Sequence, residues 1–166
     1  MWTLRVAVIA LAVCAAPACS GGATPTQPTE TPVASYLPVP PPALSAGSPP
    51  PNYAGVWVGQ FRNTDCRSSI AGFCRIIPVP QEVTLRLNQI DITVTGTMSV
   101  TGTLVDSLLR GYIAEDGAIF SPVSDSGFRL ERAGDVLDGM KVTDTYRNSV
   151  LIRSEKHEFT DLRRVQ

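Results

Sequence analysis

Between residues 81 and 101 apolar and polar side chains alternate with a period of two. Val83, Leu85 and Leu87 alternate with Glu82, Thr84 and Arg86, and Ile92, Val94, Met98 and Val100 with Thr93, Thr95, Thr97 and Ser99. This period puts one set of side chains on each face of a strand, where β-branched residues are favoured. No stretch of a dozen residues keeps apolar positions at i, i+3, i+4 and i+7, so no helix is expected. Turn-forming clusters separate the runs: Asn88-Gln89, Glu115-Asp116-Gly117, Ser124-Asp125-Ser126-Gly127, Ala133-Gly134-Asp135 and Arg147-Asn148-Ser149.

The pattern predicts an all-β domain of about eight strands, near 54–62, 81–88, 91–101, 107–114, 117–123, 127–132, 136–146 and 149–160. Connections this short pair sequence neighbours as antiparallel hairpins. Eight such strands suit a small up-and-down antiparallel barrel, which removes exposed edges by closing. A two-sheet β-sandwich is the alternative. Gly96, Gly102, Gly111 and Gly139 fall in or beside strands, where glycine permits the sharp coiling of a small barrel.

The N-terminal pattern is different. Arg5 precedes an apolar run from Val6 to Ala16, which is too short to span a bilayer as a helix and has the length of a signal-peptide core. Ala16-Pro17-Ala18-Cys19-Ser20 comes next. Small residues directly before a cysteine at the end of such a core resemble the lipobox of bacterial lipoproteins. The resemblance implies that residues 1–18 are removed and that Cys19 is lipidated. Cys14, with Leu11 three residues before it, is a competing site, but Val13 fits the cleavage position poorly. Ordinary secretion with cleavage after Ala18 is the other alternative. Ser20, in place of the aspartate that retains lipoproteins at an inner membrane, implies an outer-membrane destination in a two-membrane organism.

Residues 19–52 change composition abruptly. Ten of the 14 prolines fall there, and Glu30 is the only charge between Cys19 and Phe61. A segment without periodic apolar positions cannot offset its ordering entropy, so a disordered, semi-extended stalk is expected. Tyr36-Leu37 and Ala43-Leu44 are small apolar islands able to pack on the domain. The domain is therefore set at 53–166. It carries nearly all the charge of a chain with 14 Lys+Arg and 15 Asp+Glu. That balance argues against a nucleic-acid partner.

Cys66 and Cys74 lie in the one long connection and remain as a pair once Cys14 is removed and Cys19 acylated. Outside the cytoplasm they are expected to form a disulfide contributing about 2–3 kcal/mol. Their loop, with Arg62, Arg67 and Arg75 against Asp65, is locally basic.

Catalytic signals are weak. No Gly-x-Ser-x-Gly elbow accompanies the single histidine, His157. Asp135 with Asp138, and Glu115 with Asp116, sit at turn signals without calcium-loop spacing. The chain is read as a non-enzyme with no catalytic residue, metal or cofactor.

Gly55-Val56-Trp57 opens the first strand. A Gly-x-Trp there resembles the lipocalin and avidin superfamily, in which the tryptophan plugs one end of the barrel. In lipocalins an arginine of the last strand lies across it. The resemblance implies that Arg153 takes that place over Trp57. A looser likeness, in barrel size, single disulfide and N-terminal trunk, is to small barrel inhibitors of bacterial metalloproteases. On the last strand Leu151, Arg153, Glu155, His157 and Phe159 share one face. Turned inward, that face makes Trp57, Arg153, Glu155 and His157 candidate ligand-binding residues at a polar mouth. The expected function is a lipid-anchored module of the cell envelope that binds a small hydrophobic or amphipathic ligand. The alternative is a structural or protein-interaction module facing an envelope protein.

Overall fold

The computed structural model describes residues 31–47, 49–76, 79–104, 106–121 and 126–165. The apolar signal run, the candidate lipidation site Cys19 and its rival Cys14 lie outside the described residues.

Eight strands form the domain: β1 (Gly55–Ser68), β2 (Gln81–Ile90), β3 (Thr93–Val100), β4 (Ser107–Ile113), β5 (Ile119–Ser121), β6 (Ser126–Ala133), β7 (Val136–Arg147) and β8 (Val150–Val165). They pair in sequence order, all antiparallel, and β8 closes onto β1. The barrel is therefore realised and the sandwich is not. All eight expected strands are present. β1 and β8 run longer than their local patterns imply because they pair with each other from Val56↔Val165 to Ser68↔Arg153.

The alternating apolar set fills the interior. Trp57, Val83, Leu85, Leu87, Val94, Ile113, Ile119, Leu130, Leu137 and Leu162 are buried in one cluster. Tight coiling needs glycine at inward positions. A Cβ at Gly96 would lie 2.0 Å from the Arg86 carbonyl oxygen, and one at Gly139 would lie 2.1 Å from that of Arg129.

One bulge reorganises β8. Asp161 has φ 55°, and the β1–β8 register slips between Val58 and Gln60. The Asp161 amide donates to Asp138 Oδ1 at 2.8 Å. A Cβ on Gly59, opposite the bulge, would lie 2.7 Å from the Leu162 backbone. An extra residue on one strand reverses the facing of every residue beyond it. Odd positions up to Phe159 point inward, and beyond the bulge Leu162 and Arg164 take over.

The proline-rich segment behaves differently from the free stalk expected of it over the part described. Residues 31–52 lie along the barrel as a strap. Val33 N donates to Leu151 O at 3.0 Å, Tyr36 N to Ser154 Oγ at 3.1 Å, and Leu44 N to Ile113 O at 2.8 Å. Ala43 bridges to Ala114, and Tyr112 Oη donates to Pro41 O. Arg67 stacks over the Tyr36 ring at 4.0 Å. The apolar islands supply the anchors: Leu37 packs on the bare backbone of Gly127, and Leu44 reaches the core cluster. Beneath the strap Phe120, Val142 and Ile152 are buried although they face outward. The strap thus covers an apolar patch on the outer face of β5 to β8, and Arg67 of β1 clasps its Tyr36. Proline suits this role because its unfolded state has less entropy to lose.

Candidate functional site

The two ends of the barrel differ. At the closed end the chain leaves the strap through Asn52 and folds Tyr53 across the opening. Tyr53 N donates to Gln89 Oε1 at 2.7 Å, and its hydroxyl donates to Gly117 O. Trp57 is fully buried and donates its indole N–H to Tyr53 O at 2.9 Å. The arginine across it is Arg164, 4.8 Å from the ring centroid, with Arg132 at 5.9 Å. Both guanidinium groups also donate to Asn52 O, at 2.7 and 2.9 Å.

Arg153 therefore does not pair with Trp57. It stands at the opposite end, over the Phe73 ring at 4.8 Å and in an ion pair with Glu155. Register is the cause, because Arg153 pairs with Ser68 at the far end of β1; the bulge at Asp161 then turns Arg164 inward over Trp57 at the position where an unbroken strand would place Arg163. Replacing Arg164 by alanine is expected to lower stability by about 1–2 kcal/mol through the lost cation–π contact and charge-assisted bond. It should also shift Trp57 emission, whereas Arg153→Ala should leave that emission unchanged. Urea unfolding and fluorescence spectra check both.

The other end is open. The β1–β2 loop (69–80), the β3–β4 loop (101–106) and the β7–β8 turn meet there. The disulfide Cys66–Cys74 ties the first loop to β1 with a Cα–Cα distance of 5.8 Å. Inside the mouth the inward face of β8 presents Arg153, Glu155 and His157, as expected for a polar pocket. They join Asn63, Gln81, Lys141 and Thr143 over a floor of Phe61 and Met98. Two adjoining hollows, of about 320 and 310 Å³, share Phe61, Gln81, Glu155 and His157. Of the four candidate residues the structure gathers three, and Trp57 belongs to the closed end.

The His157 ring stacks on Phe61, with centroids 4.9 Å apart and planes 1° from parallel. Asn63 Nδ2 lies 3.5 Å from His157 Nε2 and donates to Glu155 Oε1 at 3.4 Å. With Nε2 accepting, the neutral ring carries its proton on Nδ1, which has no partner among the described residues. Asn63 Oδ1 and Arg153 Nε are likewise buried without partners. Lys141, which sequence reasoning missed, pairs with His157 across the β7–β8 ladder and makes no ion pair among the described residues. Its only signal was an odd-numbered place on β7, two residues beyond Gly139. Burial pushes the Lys141 amine below its usual range.

Burial also pushes the His157 imidazole below its usual range; Glu155 opposes this, and Lys141 and Arg153 reinforce it. Unfolded His157 takes up a proton near pH 6.5, while the folded ring resists until lower pH. The unfolded state then binds more protons, so stability is expected to fall as pH drops through about 6.5. His157→Phe should flatten this slope in denaturation curves recorded between about pH 7.5 and 5. An unchanged slope would count against a neutral buried ring.

Three of the candidate acids, Asp116, Asp135 and Asp138, are engaged structurally. Asp116 caps Ala118 N at 3.1 Å and pairs with Arg129, Asp135 lies 3.6 Å from Arg132, and Asp138 holds the bulge. Among the described residues no three His, Cys, Asp or Glu side chains gather as metal ligands. Comparison of the chain with protein-family models, with curated proteins and with solved structures finds no match.

Proposed function

We propose that this chain is a lipid-anchored cell-envelope module whose barrel binds a small amphipathic ligand at its open mouth. The observation that carries this reading is the inner wall there. Among the described residues, Lys141, which makes no ion pair, and His157, whose Nδ1 is unpartnered, line a hollow of about 310 Å³ with Phe61 and Met98, while Asn63 and Arg153, with unpartnered Oδ1 and Nε, line the adjoining hollow of about 320 Å³. An unmet buried polar group costs about 1–3 kcal/mol, and a bound molecule recovers that cost. The hollow is at the small end of the range for ligand sites, and its polar wall stands over a floor of Phe61 and Met98.

The arrangement favours an anionic head against Lys141 and an apolar body against Phe61 and Met98. His157 is held by a ring stack and an amide, with no acid–nucleophile relay among the described residues, which supports binding over catalysis. Trp57 under a last-strand arginine supports the likeness to the lipocalin and avidin superfamily in architecture, with Arg164 in the place expected of Arg153. The inhibitor-like alternative needs a free N-terminal trunk, and the described part of that segment is occupied on the barrel.

Native mass spectrometry of the protein from its own organism is expected to show a retained small molecule. Titration with 1-anilinonaphthalene-8-sulfonate should saturate at one site per chain, and Lys141→Glu should weaken it at least tenfold. An unliganded mass together with non-saturable titration would overturn the reading.

A further inference from the structure

The strap reverses where the N-terminus leaves the barrel. Composition alone attaches the stalk at Tyr53, on the closed end, and would hold the open mouth away from any anchor. The strap instead runs the length of the barrel. Near its described beginning, Val33 bonds to Leu151 beside the β7–β8 turn, and Ser69 of the mouth loop bonds to Ile152 O next to it. The chain therefore departs from the mouth end. From Val33 back to Cys19 it has 14 residues, a contour of at most about 50 Å.

The same end carries the exposed apolar side chains of the loops. Phe73, Ile76 and Val79 of the β1–β2 loop are 40%, 45% and 65% exposed, and Leu104 of the β3–β4 loop is fully exposed. Turns at a barrel end are ordinarily polar, and those at the closed end are. They carry Asp91, Glu115, Asp116 and Asp135, with Arg129 and Arg132 reaching back to Asp116 and Asp135. The β1–β2 loop has Arg75 among its apolar residues and the β3–β4 loop ends on Asp106, with Lys141 and the Arg153–Glu155 pair just inside. The two ends thus differ in the cluster of apolar side chains that the mouth loops expose, while the turn acids of the closed end are in part paired with Arg129 and Arg132.

We propose that the barrel docks mouth-down on a lipid surface, with Phe73, Ile76, Val79 and Leu104 entering the interfacial layer. Apolar side chains flanked by cations are the composition that partitions into an anionic lipid interface. A tether leaving from the mouth end keeps that end close to the membrane. An amphiphile could then pass between the lipid layer and the hollow without crossing water, a step that rests on the ligand reading above.

Vesicle sedimentation tests the docking. The chain from residue 19 onward, with Cys19→Ser so that no acyl group contributes, is mixed with phosphatidylcholine vesicles containing one-third phosphatidylglycerol. Partition into the pellet is expected, weaker on phosphatidylcholine alone. Phe73→Ser with Leu104→Ser should reduce it at least tenfold. Leu104→Ser alone, at a position with no packing to lose, should reduce it severalfold with an unchanged melting curve. Ile90→Ser, equally apolar and 81% exposed but at the closed end, should have no effect. Absence of partition, or equal loss from Ile90→Ser and the rim variants, would overturn the proposal and leave the rim as a protein-docking face. Vesicle binding without saturable naphthalene sulfonate binding would instead refute the ligand reading and leave the docking intact.

Discussion

Replacing Trp57 by alanine is expected to destabilise the barrel by about 4 kcal/mol, within the usual cost of deleting a buried tryptophan. The indole is fully buried, and four interactions depend on it. It donates to Tyr53 O, lies under Arg164, lies within 5.9 Å of Arg132, and backs the turn in which both arginines hold Asn52 O. Its loss leaves a cavity and removes the partner of the Tyr53 carbonyl. It also uncovers two guanidinium groups whose positions it sets. A domain of this size has about 5–15 kcal/mol to lose, so the variant should forfeit roughly a quarter or more of its stability. Urea denaturation followed by far-ultraviolet circular dichroism is the measurement, because the variant lacks the fluorophore. Trp57→Phe, which keeps the volume of one ring, should cost less than half as much. A loss under about 1.5 kcal/mol for Trp57→Ala would mean that the closed end is not a structural plug.

The second large effect is expected from the strap. A chain beginning at residue 45 lacks Val33, Tyr36, Leu37 and Leu44, and it uncovers Phe120, Val142 and Ile152. Burying three such side chains gains about 6 kcal/mol gross, and ordering the strap offsets part of that. A net loss of about 3 kcal/mol is expected, read as a melting temperature lower by roughly 10 °C. The exposed patch should also make the truncated chain self-associate, visible by sedimentation velocity. A milder variant, Gly127→Ala, places a Cβ 2.4 Å from the Leu37 side chain and should loosen the strap without shortening the chain. Truncation with an unchanged melting temperature and a monomeric chain would show that the strap contributes nothing to the fold.

Much of this molecule was legible in its sequence. Alternation over 81–101 and turn clusters at 115–117, 133–135 and 147–149 place eight strands and their antiparallel pairing, because side-chain facing in a strand is a local property with period two. The pairing of Cys66 with Cys74 followed from the oxidising setting that the N-terminal pattern implies. The inward facing of Arg153, Glu155 and His157 was legible as one of two faces of a single strand. Three features were not, and each depends on contacts between distant segments. The bulge at Asp161 arises where Gly59 leaves room on β1 and Asp138 supplies an acceptor from β7. Only that slip puts Arg164, and not Arg163, over Trp57. Lys141 becomes part of the mouth through its register opposite His157. The strap lies on the barrel because Phe120, Val142 and Ile152, on three separate strands, form one apolar surface only after closure. Sequence alone determined the strands and their order, since these depend on local periodicity. Tertiary structure decided which end is plugged, which end is open and from which end the chain departs, since these depend on register and coverage across the closed sheet.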